Sequence, residues 1–169
     1  NREVARMNGK RAPLPLWHPA VILSTWFWSG LSPKAPGTVG SLAALPFGIL
    51  IFHFYGAPTL GAASLLLFFI GWWSTKIYLN KTGKSDPGEV VIDEVAGIWL
   101  ALHAADLSPV MILITFALFR LLDIWKPWPI GWLDRKVKGA FGVMLDDYVA
   151  GLIASVLLVL IKGVYYGNF

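Results

Sequence analysis

Hydrophobic and polar residues occur in long blocks along this chain. Five apolar segments, each long enough for a helix, cover residues 38–55, 59–78, 90–105, 108–125 and 143–161. Their 16 to 20 residues extend roughly 24 to 30 Å as helices, which is close to the hydrocarbon thickness of a bilayer. The pattern predicts an all-α, polytopic membrane bundle of about five apolar helices with short interfacial or re-entrant segments. Segment 90–105 is only marginally long enough to cross.

Composition supports a membrane protein. Hydrophobic residues make up 56% of the 169 residues and charged residues 14%, which leaves too little polar surface for an aqueous fold. The chain has no cysteine, so disulfides and thiolate metal sites are excluded. We expect a single membrane-embedded domain over residues 1–169, with a basic N-terminal segment, residues 1–19, that could be mobile. No nucleic-acid partner is expected, and the sequence does not indicate an oligomeric state.

The basic residues are distributed unevenly between the two membrane faces that five crossings would define. If the N-terminus is cytoplasmic, the connections "GAP" and "HAADL" lie outside and carry no Lys or Arg, and only Lys162 lies near the outer end. The other 13 of the 14 basic residues then lie inside, as the positive-inside rule requires. Three polar stretches, around residues 29–38, 80–94 and 120–147, are therefore expected to meet on the cytoplasmic side.

Eight of the ten acidic residues fall in the second and third of these stretches: Asp86, Glu89, Asp93, Glu94, Asp123, Asp134, Asp146 and Asp147. Asp86, Pro87 and Glu89 fit a helix start, with Asp86 as N-cap and Pro87 at the first helical position. Asp93 and Glu94 follow among valines and isoleucines. Because a charge near mid-bilayer costs about 2.5 to 3.5 kcal/mol, and less near the boundary, this pair is interpreted as functional.

The remaining acids allow two interpretations each. Asp146 and Asp147 open the last apolar segment, where one could simply complement the helix dipole, although two in a row favour a site. Asp123 ends the fourth segment and could belong to a site or pair with Arg120. Asp134 precedes Arg135 and is equally compatible with a site and with a solvated salt bridge.

Clustered carboxylates without Cys and without a nearby His favour Mg²⁺, which prefers oxygen ligands. Cations lie beside the acids. Lys34 stands in a Pro- and Gly-rich turn before Thr38, and together with helix N-terminal amides these residues could cradle a phosphate. Lys126 follows Asp123 by three residues. Carboxylates for a metal and cations for phosphate predict phosphoryl chemistry on a lipid, with hydrolysis and transfer both open.

Four ordered motifs, "LSPKAPGTVGSLAALP", "DPGEVVIDEVAG", "FRLLDIWKPWPIGWLDR" and "GVMLDDYVAG", resemble the phosphatidylglycerophosphatase A family over residues 30–161. The resemblance implies a Mg²⁺-dependent phosphatase of the bacterial inner membrane. Such an enzyme removes the terminal phosphate of phosphatidylglycerophosphate on the cytoplasmic side. The family motif residues correspond here to Asp86, Asp93, Glu94, Asp123, Lys126, Asp134, Arg135, Asp146 and Asp147.

From residues and resemblance together we expect metal ligands among Asp86, Asp93, Glu94, Asp146 and Asp147, with Asp123 as a further ligand or the base. Substrate contacts are expected from Lys34, Thr38, Lys126, Asp134 and Arg135. Direct attack by water and a covalent aspartyl-phosphate both remain open.

Two other functions are compatible with parts of the pattern. A CDP-alcohol phosphotransferase would share the carboxylates and Mg²⁺, but its Asp-Gly…Ala-Arg opening is missing. A small ion or metal transporter would also carry intramembrane acids, but spread through the membrane depth instead of gathered at one face.

Overall fold

A computed structural model of the protein describes residues 14–167. Within that range the chain forms seven α-helices and one 3₁₀ helix, and no strand. The α-helices are α1 (Pro19–Ser24), α2 (Pro36–Tyr55), α3 (Ala57–Thr82), α4 (Ile92–Ala104), α5 (Pro109–Trp125), α6 (Ile130–Lys136) and α7 (Gly139–Tyr165), and the 3₁₀ helix covers Ser29–Leu31. Most of the basic N-terminal segment, residues 1–13, lies outside the described residues.

Three helices, α2, α3 and α7, have the length and apolar composition to cross a membrane. Their outward faces carry exposed large side chains such as Phe54, Leu66 and Val156, which suit lipid and would be an aggregation hazard in water. The all-α membrane bundle is thus confirmed, with α1, the 3₁₀ helix and α6 as its short segments. Of the five expected crossings, those of α4 and α5 stay a prediction, because at 13 and 17 residues these helices are shorter than the others.

Helix α4 is the centre of the bundle and contacts α2, α3, α5 and α7. Ten of its 13 residues are buried, so a short helix suffices because protein, instead of lipid, surrounds it. Polar side chains bond its backbone and ring to its neighbours across the helix interfaces. The Ser64 hydroxyl donates to the Ala96 carbonyl at 2.8 Å, the Ser155 hydroxyl to Leu100 at 2.7 Å, and the Trp99 indole to Ala44 at 2.9 Å. Such bonds are a common cohesive element between membrane helices.

The closest approach in the bundle is between α4 and α7, at two glycines. A Cβ on Gly97 would lie 2.6 Å from the Asp147 carbonyl oxygen, and a Cβ on Gly151 would lie 2.9 Å from the Gly97 carbonyl carbon. Neither residue can therefore carry a side chain without moving a backbone. In lipid, close backbone packing of this kind takes the place of the hydrophobic effect between helices.

Successive long helices alternate in direction, so the bundle has two distinct ends. At one end the start of α4 meets the starts of α2 and α7 and the ends of α3 and α5. At the other end Lys162 donates to the Ala104 and Ala105 carbonyls and Tyr166 donates to Asp106. Nine of the ten Lys and Arg residues between positions 14 and 167 lie at the first end: Lys34, Lys76, Lys81, Lys84, Arg120, Lys126, Arg135, Lys136 and Lys138.

The interpretation of Asp86 as a helix N-cap is wrong. Helix α4 begins at Ile92, with Val91 as its N-cap residue, and residues 83–91 form a loop. The Val91 amide donates to the Ser24 carbonyl at 2.8 Å, so it is bonded to α1 instead of to an earlier turn of its own helix. Gly88 and the β-branched Val90 and Val91 also disfavour a helix here. Glu89 instead accepts hydrogen bonds from Lys84 and from the Tyr78 hydroxyl.

Candidate active site

A polar cleft opens at the basic end of the bundle, between the starts of α4 and α7. It encloses about 160 Å³, and its walls include Asp86, Asp93, Glu94, Asp123, Lys126, Asp134, Asp146 and Asp147. Eight of the eleven predicted site residues are therefore found in one place. Residues far apart in sequence, between positions 86 and 147, supply them.

Three carboxylates converge most closely within the cleft. One oxygen each from Asp93, Glu94 and Asp147 lies within 4.8 Å of the other two. Asp93 is 7% exposed and Asp147 is 4% exposed, so these negative charges share a nearly water-free space. A cation is the natural partner for such a group, because like charges brought together in a low dielectric repel strongly.

Asp93 and Glu94 occupy the first turn of α4, not a point deep within a helix. There the helix dipole favours negative charge, which offsets part of the cost of placing them at the membrane. Asp93 Oδ1 also accepts a hydrogen bond from the Glu94 amide at 3.0 Å. This bond helps to fix the Asp93 carboxylate at the helix start, and one of its oxygens lies within 4.8 Å of one of Glu94.

Asp146 and Asp147 do not lie at a helix start, although they stand at the beginning of the last apolar segment. Helix α7 begins at Gly139, so the two acids lie roughly 10 Å inside it at 1.5 Å per residue. The helix dipole acts mainly on the first turn and does not account for them. The contact of Gly97 with Gly151 lies one turn beyond each acid pair and holds Asp147 against Asp93 and Glu94.

Lys126 is the cation at the centre of the cleft. Its Nζ donates to Asp134 Oδ1 at 3.0 Å and also to Asp146 Oδ2. Burial alone would lower the pKa of Lys126, but hydrogen bonding and charge attraction to Asp146, with a smaller contribution from Asp134, raise it well above its usual value. Burial alone would raise the pKa of Asp134, but the hydrogen bond from Lys126 and the charges of Lys126 and Lys138 together lower it. Lys126 is therefore charged throughout the physiological range.

The backbone at Lys126 is in the left-handed region, with φ +47°, which is unfavourable for a residue with a side chain. It ends α5 there, immediately before Pro127. The turn directs the ammonium inwards across the cleft to α7.

Arg120 was considered in the sequence only as a partner for Asp123, and the structure gives it a larger part. Its guanidinium pairs with Asp123, as expected, and its Nη1 lies 3.8 Å from Glu94 Oε1. A Cβ on Gly37 would lie 3.2 Å from both terminal nitrogens of Arg120, so α2 closes over this pair. Gly37, and the contact of Arg120 with Glu94, were not predicted from the sequence, where the only signal for Arg120 is a cation one helical turn before an acid.

Several predicted residues are not brought to the carboxylates. Lys34 and Arg135 are exposed, and they and Thr38 do not line the cleft. Asp86 lines it but is exposed and is not one of the three converging acids. Asp146 also lies outside that triad, held by Lys126. Substrate contacts by Lys34, Thr38 and Arg135, and metal ligation by Asp86 and Asp146, stay predictions.

The donor set fits a hard divalent cation. Asp93, Glu94 and Asp147 offer only carboxylate oxygens, and no Cys or His is among the residues lining the cleft. In addition, Glu94 Oε2 and Asp146 Oδ1 are buried without a hydrogen-bond partner. Buried polar atoms are almost always satisfied in folded proteins, so these two oxygens are available to a ligand bound in the cleft.

Comparison with known proteins identifies the family. Its sequence model, described as phosphatidylglycerophosphatase A, matches residues 22–162. A phosphatidylglycerophosphatase A from Escherichia coli is 41% identical over 143 residues, covering 84% of this chain and 81% of the relative. One from Haemophilus influenzae is 35% identical over 156 residues, covering 92% and 96%. A putative phosphatidylinositol-3-phosphatase from Bacteroides thetaiotaomicron is 36% identical over 157 residues, covering 85% and 94%.

No solved structure gives a significant match to the chain. The family match covers every residue that lines the cleft. The chain therefore belongs to the phosphatidylglycerophosphatase A family and is a phosphatase.

Proposed function

We propose that this protein hydrolyses the terminal phosphomonoester of phosphatidylglycerophosphate to phosphatidylglycerol and phosphate, using Mg²⁺, at the cytoplasmic face of the bacterial inner membrane. The observation that carries the proposal is the convergence of Asp93, Glu94 and Asp147 beside Lys126 at the basic end of an apolar bundle. The substrate is taken from the names of the relatives from Escherichia coli and Haemophilus influenzae.

Asp93, Glu94 and Asp147 are the residues that would hold Mg²⁺. The chemistry supplied by the bound ion is neutralisation of charge on the phosphate oxygens and Lewis-acid polarisation of the phosphorus–oxygen bonds. Arg120 fixes Glu94 and Asp123 by ion pairing, so that the carboxylates keep their arrangement before the substrate binds.

In the reaction, the oxygen of a water molecule forms a bond to phosphorus while the bond from phosphorus to the glycerol oxygen breaks. Asp146, whose Oδ1 has no hydrogen-bond partner, is suited to accept the proton that the water loses. The glycerol oxygen takes up a proton from solvent as it leaves, and Asp146 then returns its proton to solvent. Lys126 stays charged and stabilises the negative charge that develops on the phosphoryl group.

The location at the cytoplasmic face is supported by the charge distribution. The cleft lies at the end that carries nine of the ten described basic residues, and short connections rich in Lys and Arg remain in the cytoplasm. Trp125 and Trp128, 76% and 82% exposed, flank that end, where indole rings favour the headgroup layer.

The direct test is phosphate release from synthetic phosphatidylglycerophosphate in detergent micelles, with Mg²⁺ and with EDTA. We expect release with Mg²⁺, none with EDTA, and a loss of at least about 100-fold in Asp93→Asn, since removing even outer partners of a metal commonly costs 10- to 100-fold. Full activity of Asp93→Asn, or activity in EDTA, would overturn the metal assignment.

The same preparation separates the alternatives. Phosphatidylinositol 3-phosphate is offered in parallel, because the relative from Bacteroides thetaiotaomicron carries that activity in its name. Faster release from it than from phosphatidylglycerophosphate would reassign the substrate. Acid quenching during turnover of ³²P-labelled substrate distinguishes the two mechanisms, because an aspartyl-phosphate retains labelled phosphorus on the protein and direct attack by water leaves none.

A further inference from the structure

A second cavity opens beside the carboxylate cleft, in a groove between the end of α3 and the start of α7. We call it the lateral groove. It encloses about 540 Å³, more than three times the cleft, and it shares Ser85, Lys138 and Gly139 with the cleft wall. The two spaces therefore adjoin at these residues, and a ligand that extends past them can reach both.

The lateral groove combines positive charge with an aromatic wall. Lys76, Lys84 and Lys138 line it, and so do Trp72 and Phe141. The two rings pack edge to face, with centroids 5.3 Å apart, and join α3 to α7. No acidic residue is among those that line the groove. An anion with an apolar portion attached is the complementary ligand.

The three lysines differ in what they already bind. Lys84 pairs with Glu89 and Lys138 donates to the Asp134 carbonyl oxygen at 2.9 Å. Lys76 forms no ion pair with another residue of the described chain. It lies on α3 among apolar side chains, four residues after Trp72, so both side chains lie on one helix face.

The junction between groove and cleft is open at Gly139. A Cβ there would find nothing within 4 Å, and the residue has φ +77°. Space at this point leaves room for a short linker between a group held in the cleft and a group held in the groove.

We propose that the lateral groove binds the phosphodiester and the adjoining acylglycerol of the lipid substrate while the cleft holds the phosphomonoester. This inference rests on the proposed function, in which one glycerol unit joins the two phosphates. Lys76, Lys84 and Lys138 pair with the phosphodiester, and Trp72 and Phe141 contact the apolar part. The groove thus selects lipids that carry a second phosphate next to the scissile one.

Inhibition by the product, phosphatidylglycerol, tests the binding of the phosphodiester in the lateral groove by itself, because phosphatidylglycerol has the phosphodiester and lacks the monoester. Phosphate release from phosphatidylglycerophosphate is measured in micelles of fixed composition, with phosphatidylglycerol or inorganic phosphate as inhibitor. In Lys76→Gln we expect the Ki of phosphatidylglycerol and the substrate KM to rise about five-fold, the factor that one cation near an anionic headgroup contributes. The Ki of inorganic phosphate and kcat should stay within two-fold.

Lys81→Gln is the matched control, since Lys81 is exposed on the same helix and does not line the groove. Lys84→Gln is a second groove variant in case Lys76→Gln does not fold. Equal rises in the Ki of phosphatidylglycerol in Lys81→Gln and Lys76→Gln would show general attraction to an anionic surface and overturn the inference. An unchanged Ki of phosphatidylglycerol in Lys76→Gln, or a wild type that phosphatidylglycerol does not inhibit, would also overturn it. A wild type without phosphate release from phosphatidylglycerophosphate would instead count against the proposed function.

Discussion

The carboxylates of the cleft differ in how they are stabilised, and this decides what each can do. Asp93 and Glu94 have a helix start, Asp123 has Arg120, and Asp146 has Lys126. Asp147 has an ion pair with none of the described cations, although it is 4% exposed. It is therefore the residue of the triad whose charge most depends on a bound cation.

Asp147→Asn consequently has opposite effects with and without metal. In EDTA we expect the midpoint of thermal unfolding to rise by about 2 to 4 °C, the shift that about 1 kcal/mol produces in a chain of this size, because the neutral amide removes the cost of burying a carboxyl group beside Asp93 and Glu94. With Mg²⁺ the wild type should gain stability and the variant should gain none. A variant that is less stable than the wild type in EDTA would contradict this account.

Arg120 connects two carboxylates from different helices, so its loss leaves two buried charges without a partner. We expect Arg120→Met to lower the free energy of unfolding by about 3 kcal/mol or more, and Arg120→Lys to be intermediate, because one ammonium cannot replace a planar fork. Denaturation followed by circular dichroism measures this.

Arg135→Met is the control for Arg120, because Arg135 is an exposed arginine at the same end of the bundle. It should change the free energy of unfolding by no more than about 0.5 kcal/mol. Similar losses from both arginines would show that overall charge, and not the ion pairs of Arg120, determines stability.

At the scale of helices, the site depends on how closely α4 and α7 approach. Gly97 and Gly151 lie one turn beyond the acids, and their backbones are in contact. Gly151→Ala should force the helices apart, lower stability by about 1 to 3 kcal/mol, and reduce kcat/KM on the order of 100-fold through displaced carboxylates. Phosphate release and thermal unfolding of one preparation measure both effects.

Gly61→Ala tests whether any helical glycine would give that result. Gly61 lies in α3 at the far end, where a Cβ would meet only the edge of the His103 ring, at 3.2 Å. This variant should keep full activity, and alanine's higher helix propensity should offset the contact. Activity lost equally in both variants would show that the α4–α7 contact has no special role.

The sequence predicted the apolar segments and the acid cluster because both depend on composition and order along the chain. It placed the helix starts less well. The pattern around Asp86 has the residues of a capping box, yet a tertiary bond from Val91 to Ser24 moves the start to Ile92. For α7 the start at Gly139 precedes the apolar run, so Asp146 and Asp147 lie inside the helix. Arg120 contacts Glu94 across helices, which spacing within one helix cannot show.

At the scale of the whole molecule, charge and chemistry lie at the same end of the bundle. The far end has Lys162 as its single Lys or Arg among residues 14–167, and there Lys162 is bound to the carbonyls of Ala104 and Ala105. Lys162 therefore stabilises the end of α4. The other end, which carries nine of the ten described basic residues and both the cleft and the lateral groove, predicts the orientation of the bundle in the membrane.

This orientation can be measured directly because the chain has no native cysteine. Single cysteines introduced as Lys136→Cys, at the exposed basic end, and Thr59→Cys, exposed at the far end, report each face with a membrane-impermeant maleimide. In inverted inner-membrane vesicles Lys136→Cys should label and Thr59→Cys should not, and right-side-out spheroplasts should give the reverse. Labelling of both positions after detergent is added verifies that each thiol is reactive. The opposite pattern would put the carboxylate cleft on the outer face, where the positive-inside rule does not allow nine basic residues.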